Sequence, residues 1–457
     1  MTTETRPTST RPRLLLAAAL AAAVLVGLLA TYYPVFDPAT QQLFATNRDA
    51  LDILSGAQAA EAAGTAGWWS GNWIQPTSFF YRPLASLVMY AEYRAWGRDF
   101  PKYCVVSWLV HGAICGLLLL LGWRLFRARG NAVGLALGLV TVVLFNLRRG
   151  ITGVGWPPQY LLDDWRLLSF RAVHGTLDAA PGDPRPVLPF RIVYGEMPYW
   201  PAQTDLFSLL FSLASLLALD RWLVGKDGRR RPGWLALSVA LFAVALLVKE
   251  MALAVVLLAP LLIWYRRGLR PWRAALLYPA LGVALLVVRF LAVPQAGLPA
   301  RPELLWLGYL LHYYLFTAVG GGTWWPLPAA AGMLGLLYLL HRRGISLIWW
   351  VLGSFIWLLL MAQLAGNFAY LFFPLPVLYV VVAGLFLGGL AVLIRSRSRL
   401  NWLLLALVVA VNLPVVQVKG PHYLYWPAAF WSLLSAGLLL SAVDWWRELA
   451  PRRSPPS

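Results

Sequence analysis

The chain has 457 residues, 60% of them hydrophobic and only 12% charged, with a net charge of +19. A soluble domain of this size needs more polar surface, so the composition excludes a water-soluble globular fold. The positive charge does not make a nucleic-acid groove, because it is broken into short clusters between apolar runs.

Those clusters are Arg124, Arg127 and Arg129; Lys226 with Arg229, Arg230 and Arg231; Arg266, Arg267, Arg270 and Arg273; Arg342 and Arg343; Arg395, Arg397 and Arg399; and Arg452 and Arg453. Their placement is the positive-inside pattern of cytoplasmic loops, facing anionic membrane lipid. Thirty-four arginines against four lysines, with abundant Ala, Gly and Pro, point to a GC-rich bacterial genome. The expected location is therefore a bacterial inner membrane, with no nucleic-acid partner.

In chain order, Arg6, Arg11 and Arg13 precede a first apolar run, Leu14 to Tyr33, read as a retained helix with a cytoplasmic N-terminal tail (1–13). A first outer loop (34–102) holds Asp37, Asp49, Asp52 and many aromatics. Helix two (Tyr103 to Trp123) returns to the Arg124 cluster, and helix three (Asn131 to Phe145) leads to a second outer loop (146–204) rich in Pro and Trp. Helix four spans Asp205 to Val224. The run Trp234 to Tyr265 is too long for one crossing, so Lys249-Glu250 is read as the outer tip of a hairpin. Helix seven covers Ala274 to Val293. Pro302 to Gly320 is read as re-entrant, which keeps every basic cluster inside. Further spans are expected at Pro326 to Leu340, Ile345 to Leu364, Pro374 to Ile394, Trp402 to Val418 and Tyr423 to Val443, before a cytoplasmic tail (444–457). The expected fold is all-α and polytopic, one membrane domain over 14–443 with about 12 transmembrane helices, two outer loops bearing interfacial helices, and both termini cytoplasmic.

Ionisable side chains at membrane depth are expensive and mark function by default. Asp37 sits just past helix one, where a carboxylate can take a proton from a hydroxyl arriving from outside. Asp37-Pro38 is also an ordinary turn dipeptide. Lys249 and Glu250 read equally as a polar hairpin tip. Arg289 lies one turn from the outer end of helix seven, able to snorkel or to bind a lipid phosphate. Arg82 and Arg148 are similar. His111 has no second ligand at metal spacing. Cys104 and Cys115, eleven residues apart on one helix, stand roughly 16 Å apart, too far for a disulfide. The few charges tolerated by the helices, Lys249, Glu250 and Arg289, all lie toward the outer side.

Several motifs occur together in order. Tyr81-Arg82-Pro83-Leu84, followed by Val110-His111-Gly112-Ala113, resembles the "YRPL … N-x-x-x-H-A" stretch of the transmembrane O-mannosyltransferases that carry TPR repeats. Phe36-Asp37 with Asn47-Arg48-Asp49 is similar to that family's first outer loop. Glu196 with Asp205-Leu206 resembles "H-x-x-x-E … R-x-D-L-L". Leu246 to Glu250 matches "L-L-S-K-E". Val287-Val288-Arg289 is similar to a "Y-x-x-R" helix, and Tyr370 to Pro374 to "R-Y-L-Y-L-P". The likeness runs from about residue 30 to 375. The chain departs from it at the paired acidic motif, reduced to Asp37, at Ile192 and Ala369, and by an insertion over Leu147 to Arg191.

The resemblance implies a GT-C glycosyltransferase: a hexosyltransferase acting on the outer face of the membrane. It would use a polyprenyl-phosphate-linked sugar as donor and invert it onto an acceptor hydroxyl of a protein or glycolipid, as in protein glycosylation. In that frame Asp37 is the general base and Glu196 orients the acceptor. Arg289, Lys249, Arg82 and Arg148 stabilise the lipid phosphate, while Glu250, His111 and Asp205 support them. A divalent cation is compatible with the resemblance, with no metal ligands assigned. The alternatives are a catalytically degenerate GT-C-fold protein and an enzyme resembling O-antigen ligases or polymerases.

Overall fold

The computed structural model describes residues 11–36, 48–146, 200–225, 231–268, 271–294, 392–413 and 425–449. Every regular element among them is helical. The α-helices, in chain order, are α1 (Arg11–Phe36), α2 (Arg48–Ala63), α3 (Pro83–Trp96), α4 (Phe100–Phe126), α5 (Asn131–Asn146), α6 (Gln203–Leu223), α7 (Pro232–Val248), α8 (Val255–Arg267), α9 (Trp272–Ala292), α10 (Arg399–Asn412) and α11 (Tyr425–Leu449). Among the described residues five helical stretches, Leu14–Thr31, Phe100–Arg129, Gln203–Leu223, Trp272–Ala292 and Tyr425–Trp445, are long and apolar enough to cross a membrane, and α5, α7 and α10 are shorter apolar helices. The chain is thus a helical protein of membrane type. The expected spans between Pro302 and Leu364, and nearly all of Pro374 to Ile394, lie outside the described residues.

Helix α4, about 40 Å long at 1.5 Å per residue, is the central post. It packs on α1, α5 and α6. Small residues let backbones approach where apolar burial alone gives little drive between helices in lipid. A Cβ at Gly138 of α5 would stand 2.8 Å from the Leu119 carbonyl, and one at Gly122 only 3.1 Å from the Gly138 Cα. The α4–α5 seam therefore depends on both glycines. The α6–α7 seam is polar instead. Ser215 Oγ donates to the Ser238 carbonyl and Ser238 Oγ donates to the Ser215 carbonyl, each at 2.7 Å. Tyr278 OH of α9 completes the set, 2.6 Å from Ser238 Oγ.

The expected hairpin forms. Lys249 is extended (φ −158°, ψ 142°), breaking α7, and a 3-10 turn, Glu250–Ala254, leads into α8. Neither Gly nor Pro marks this break. Two ion pairs described below hold it. The chain then returns antiparallel, so Arg266 near the end of α8 reaches Asp220 near the end of α6.

The bundle has two ionic ends, some 22 Å apart along α6 from Asp205 to Asp220. At one end Asp220, fully buried, is gripped by Arg124 of α4 and by Arg266 of α8, whose Nε lies 2.8 Å from Oδ1. Arg266 Nη2 also donates to the Arg124 carbonyl at 2.9 Å, and Arg129 pairs with Asp444 at 2.8 Å. This corrects the expectation that buried charge lies only toward the outer side. Asp220 was hidden in an apolar run, and its partners come from basic clusters that positive-inside reasoning reads as solvated.

Candidate active site

The other end begins at the segment 66–82. It is tied down locally: Trp73 N donates to the Phe80 carbonyl at 3.0 Å, and Phe80 N donates to Asn72 Oδ1 at 2.8 Å. Ile74 N donates to Ser86 Oγ at 2.9 Å. Helix α2 presses on it so closely at Gly56 that a Cβ there would overlap the Ile74 carbonyl. Asp49 and Asp52, on α2, accept from Gln75 Nε2 (2.9 Å) and Thr77 Oγ1 (2.6 Å), and so act as staples.

This brace presents Arg82 at the head of α3, with Pro83 at the first helical position. The guanidinium lies 4.0 Å from the Phe80 ring centroid and 4.8 Å from that of Trp73. Its Nε donates to Glu250 Oε2 at 2.9 Å and its Nη2 to Glu250 Oε1. Such a bidentate, ring-stacked geometry suits Arg and not Lys. Beside it Lys249 Nζ lies 2.5 Å from Asp205 Oδ2, the side chains 4% and 1% exposed. Asp205 Oδ1 has no hydrogen-bond partner among the described residues.

Arg289, near the end of α9, closes the group. Glu250 lies within electrostatic reach of Arg82, Lys249 and Arg289. Three cations thus meet two carboxylates, a surplus of one positive charge. The half-buried Arg289 carries a buried Nε without a hydrogen-bond partner among the described residues. It lines a small open cleft of about 20 Å³ together with Glu250, Tyr81, Leu246, Leu253, Gly282 and Leu285. The cleft is therefore a mostly apolar surface depression bordered by the Arg289 guanidinium and the Glu250 carboxylate.

The sequence candidates divide three ways. Arg82, Asp205, Lys249, Glu250 and Arg289 converge. Asp37, Arg148 and Glu196 lie outside the described residues. His111 sits apart, buried on α4, where it meets Tyr425 OH through Nδ1 at 2.6 Å and Asn146 Oδ1 through Nε2 at 2.9 Å. An amide oxygen only accepts, so Nε2 carries the proton and Nδ1 accepts from the tyrosine. The first turn of α11 joins the two networks, because Trp426, next to Tyr425, donates from Nε1 to the Asp205 carbonyl at 3.2 Å.

Two buried groups escaped sequence reasoning. Asp220 is one. Glu92 is the other: its Oε2 accepts from Trp200 Nε1 at 2.8 Å, and burial pushes its carboxyl up to about 8, against the smaller opposing pull of Trp200 and Gln203. Its position on α3, with Tyr90 and Tyr93 beside it, was the available signal. Among the described residues no group of three or more His, Cys, Asp or Glu could hold a metal ion. Cys104 and Cys115 are both buried and form no disulfide with each other.

No family model, no curated protein and no solved structure matches the chain.

Proposed function

We propose that the protein is a membrane glycosyltransferase that binds the phosphate of a polyprenyl-phosphate-linked sugar at the edge of the Arg289 cleft and transfers the sugar to an acceptor hydroxyl on the outer face of an inner membrane. The observation that carries this reading is the cation surplus of the Arg82–Glu250–Lys249–Asp205–Arg289 group where it borders a mostly apolar depression. A lipid phosphate is an anion on a hydrocarbon tail, and this surface offers a partner for each part. Arg289 faces the phosphate. Lys249 and Arg82, already engaged by carboxylates, supply positive field behind it and hold its place. Charge developing on the leaving phosphate is stabilised by cations that need no reorganisation.

The resemblance supplies the rest of the chemistry. Asp37 removes the proton from the acceptor hydroxyl as the oxygen bonds the anomeric carbon, and the sugar–phosphate bond breaks on the opposite face with inversion. Glu196 orients the acceptor, and Arg148 adds to the phosphate field. The test is sugar transfer from a radiolabelled polyprenyl-phosphate hexose in proteoliposomes. Wild-type protein transfers label, and Asp37→Asn binds the donor without transferring it. Full transfer by Asp37→Asn removes the general-base assignment.

A second reading follows from the lone Asp37 where the resembled family carries an acidic pair. The protein then binds the donor lipid without turnover. Donor binding by wild type, with no label transferred to any acceptor, selects it.

A further inference from the structure

Glu92 stands apart from the ionic group, on the third turn of α3, and nothing in the transfer chemistry uses it. It is 6% exposed. Its Oε2 accepts from Trp200 Nε1, but Oε1 has no hydrogen-bond partner among the described residues, although Gln203 lies within hydrogen-bonding reach. Gln203 Oε1 is buried and equally without one. The Gln203 amide is held in place by its Nε2, which donates to the Tyr103 carbonyl at 3.0 Å. A carboxylate oxygen buried without a partner is costly, and a proton on the carboxyl removes the buried charge.

The surroundings favour a neutral group. Trp200 stacks on Tyr103 with ring centroids 4.4 Å apart, and Phe100 packs edge-on against both. The titratable side chains coupled to the carboxyl are Tyr103 and Cys104 of α4, with Tyr93 and Asp99 acting on Tyr103. Arg94 of α3 points away, bonded to Tyr90 OH at 3.4 Å and coupled to Glu61 of α2. No Arg or Lys is among the described groups that act on Glu92.

We propose that Glu92 is a proton-binding site, held as a neutral carboxylic acid beneath Trp200, and that release of this proton to water loosens the seam between α3 and the Trp200 turn. The seam matters because α3 begins at Arg82 and α6, entered from that turn, carries Asp205. One proton therefore controls how the two halves of the ionic group are held together. The inference stands whatever the group binds.

The test uses the full chain in lipid nanodiscs, with infrared difference spectra recorded from about pH 6 to about pH 10 to span the titration. Wild type shows the carbonyl band of a protonated carboxylic acid, lost with a midpoint near pH 8. Glu92→Gln, which can still accept from Trp200 and cannot titrate, lacks the band. Absence of the band from wild type, or its persistence in Glu92→Gln, overturns the assignment. If that variant fails to fold, ¹³C-glutamate labelling of wild type moves the band, and Trp200→Phe shifts it by removing the donor on Oε2; a band indifferent to both overturns the proposal. The seam has its own readout. After correction for intrinsic base catalysis, amide exchange in α3 and α6 rises about tenfold above the midpoint in wild type and stays flat in Glu92→Gln. An equal rise in both proteins removes the coupling.

Discussion

Lys249 and Asp205 give a prediction whose size follows from their geometry. At 2.5 Å, with both side chains almost wholly buried, an effective dielectric of ~20 gives roughly 7 kcal/mol of attraction. Desolvation of two charges offsets most of that. The net worth of the pair is therefore small, while the cost of breaking it is large. Lys249→Met strands a buried carboxylate, and Asp205→Ala strands a buried ammonium; each is expected to cost about 3–5 kcal/mol. The double variant strands neither and leaves only a small cavity, about 1–2 kcal/mol. The double variant is thus more stable than either single one. The assay is reversible unfolding in mixed detergent micelles at one pH, run as a double-mutant cycle. Losses that simply add would refute the reasoning, because additivity means that the two side chains do not sense each other.

Glu92 makes stability depend on pH with a definite sign. Its carboxyl titrates near 8 in the folded chain against an ordinary 4.5, so the folded state holds the proton longer and stability falls as pH rises through that window, levelling off above it. At about 1.4 kcal/mol per pH unit the whole window is worth several kcal/mol. Thermal unfolding of wild type and Glu92→Gln at several pH values checks this: the two differ most at and above about pH 8 and converge toward acid. Asp220→Asn leaves Arg124 and Arg266 facing each other without a counter-charge. Their side chains are 15% and 18% exposed, so the expected loss is about 2–3 kcal/mol, below that of a fully buried break, read by the same unfolding assay. Gly282→Leu forces a side chain where even a Cβ would stand 2.7 Å from Val256 Cγ2. Spreading of α8 from α9 follows, with loss of the cleft and of lipid-phosphate binding, measured by ligand-dependent thermal shift.

Helices were the most legible part of the sequence. Runs such as Leu14 to Tyr33 and Ala274 to Val293 are apolar on all sides, and in lipid a helix satisfies its own backbone whatever it packs against. Observed ends differ from expected ones by a few residues; α4, for instance, starts at Phe100 and not Tyr103. The Lys249-Glu250 break was legible because two charges inside an apolar run cannot stay in hydrocarbon unpaired. What paired them was not. Glu250 lies 168 residues from Arg82, and no local pattern carries that information. Asp220 was missed for the opposite reason: it sits one residue from Arg221, which makes it look like an ordinary helix end. Glu92, between Ala91 and Tyr93, reads as a surface residue of an amphipathic helix until Trp200 is folded over it.

Receipt of a lipid phosphate by the surplus cation at the cleft is the step on which the proposed function turns. Its most direct test is equilibrium binding of a polyprenyl monophosphate to the full chain in nanodiscs, comparing wild type, Arg289→Gln and, as a control at the opposite end of the bundle, Arg267→Gln. A charge-assisted contact of about 1.5–3 kcal/mol predicts roughly ten- to hundredfold weaker binding for Arg289→Gln. Arg267→Gln is expected to bind as wild type does. Equal affinities for all three proteins would contradict the account.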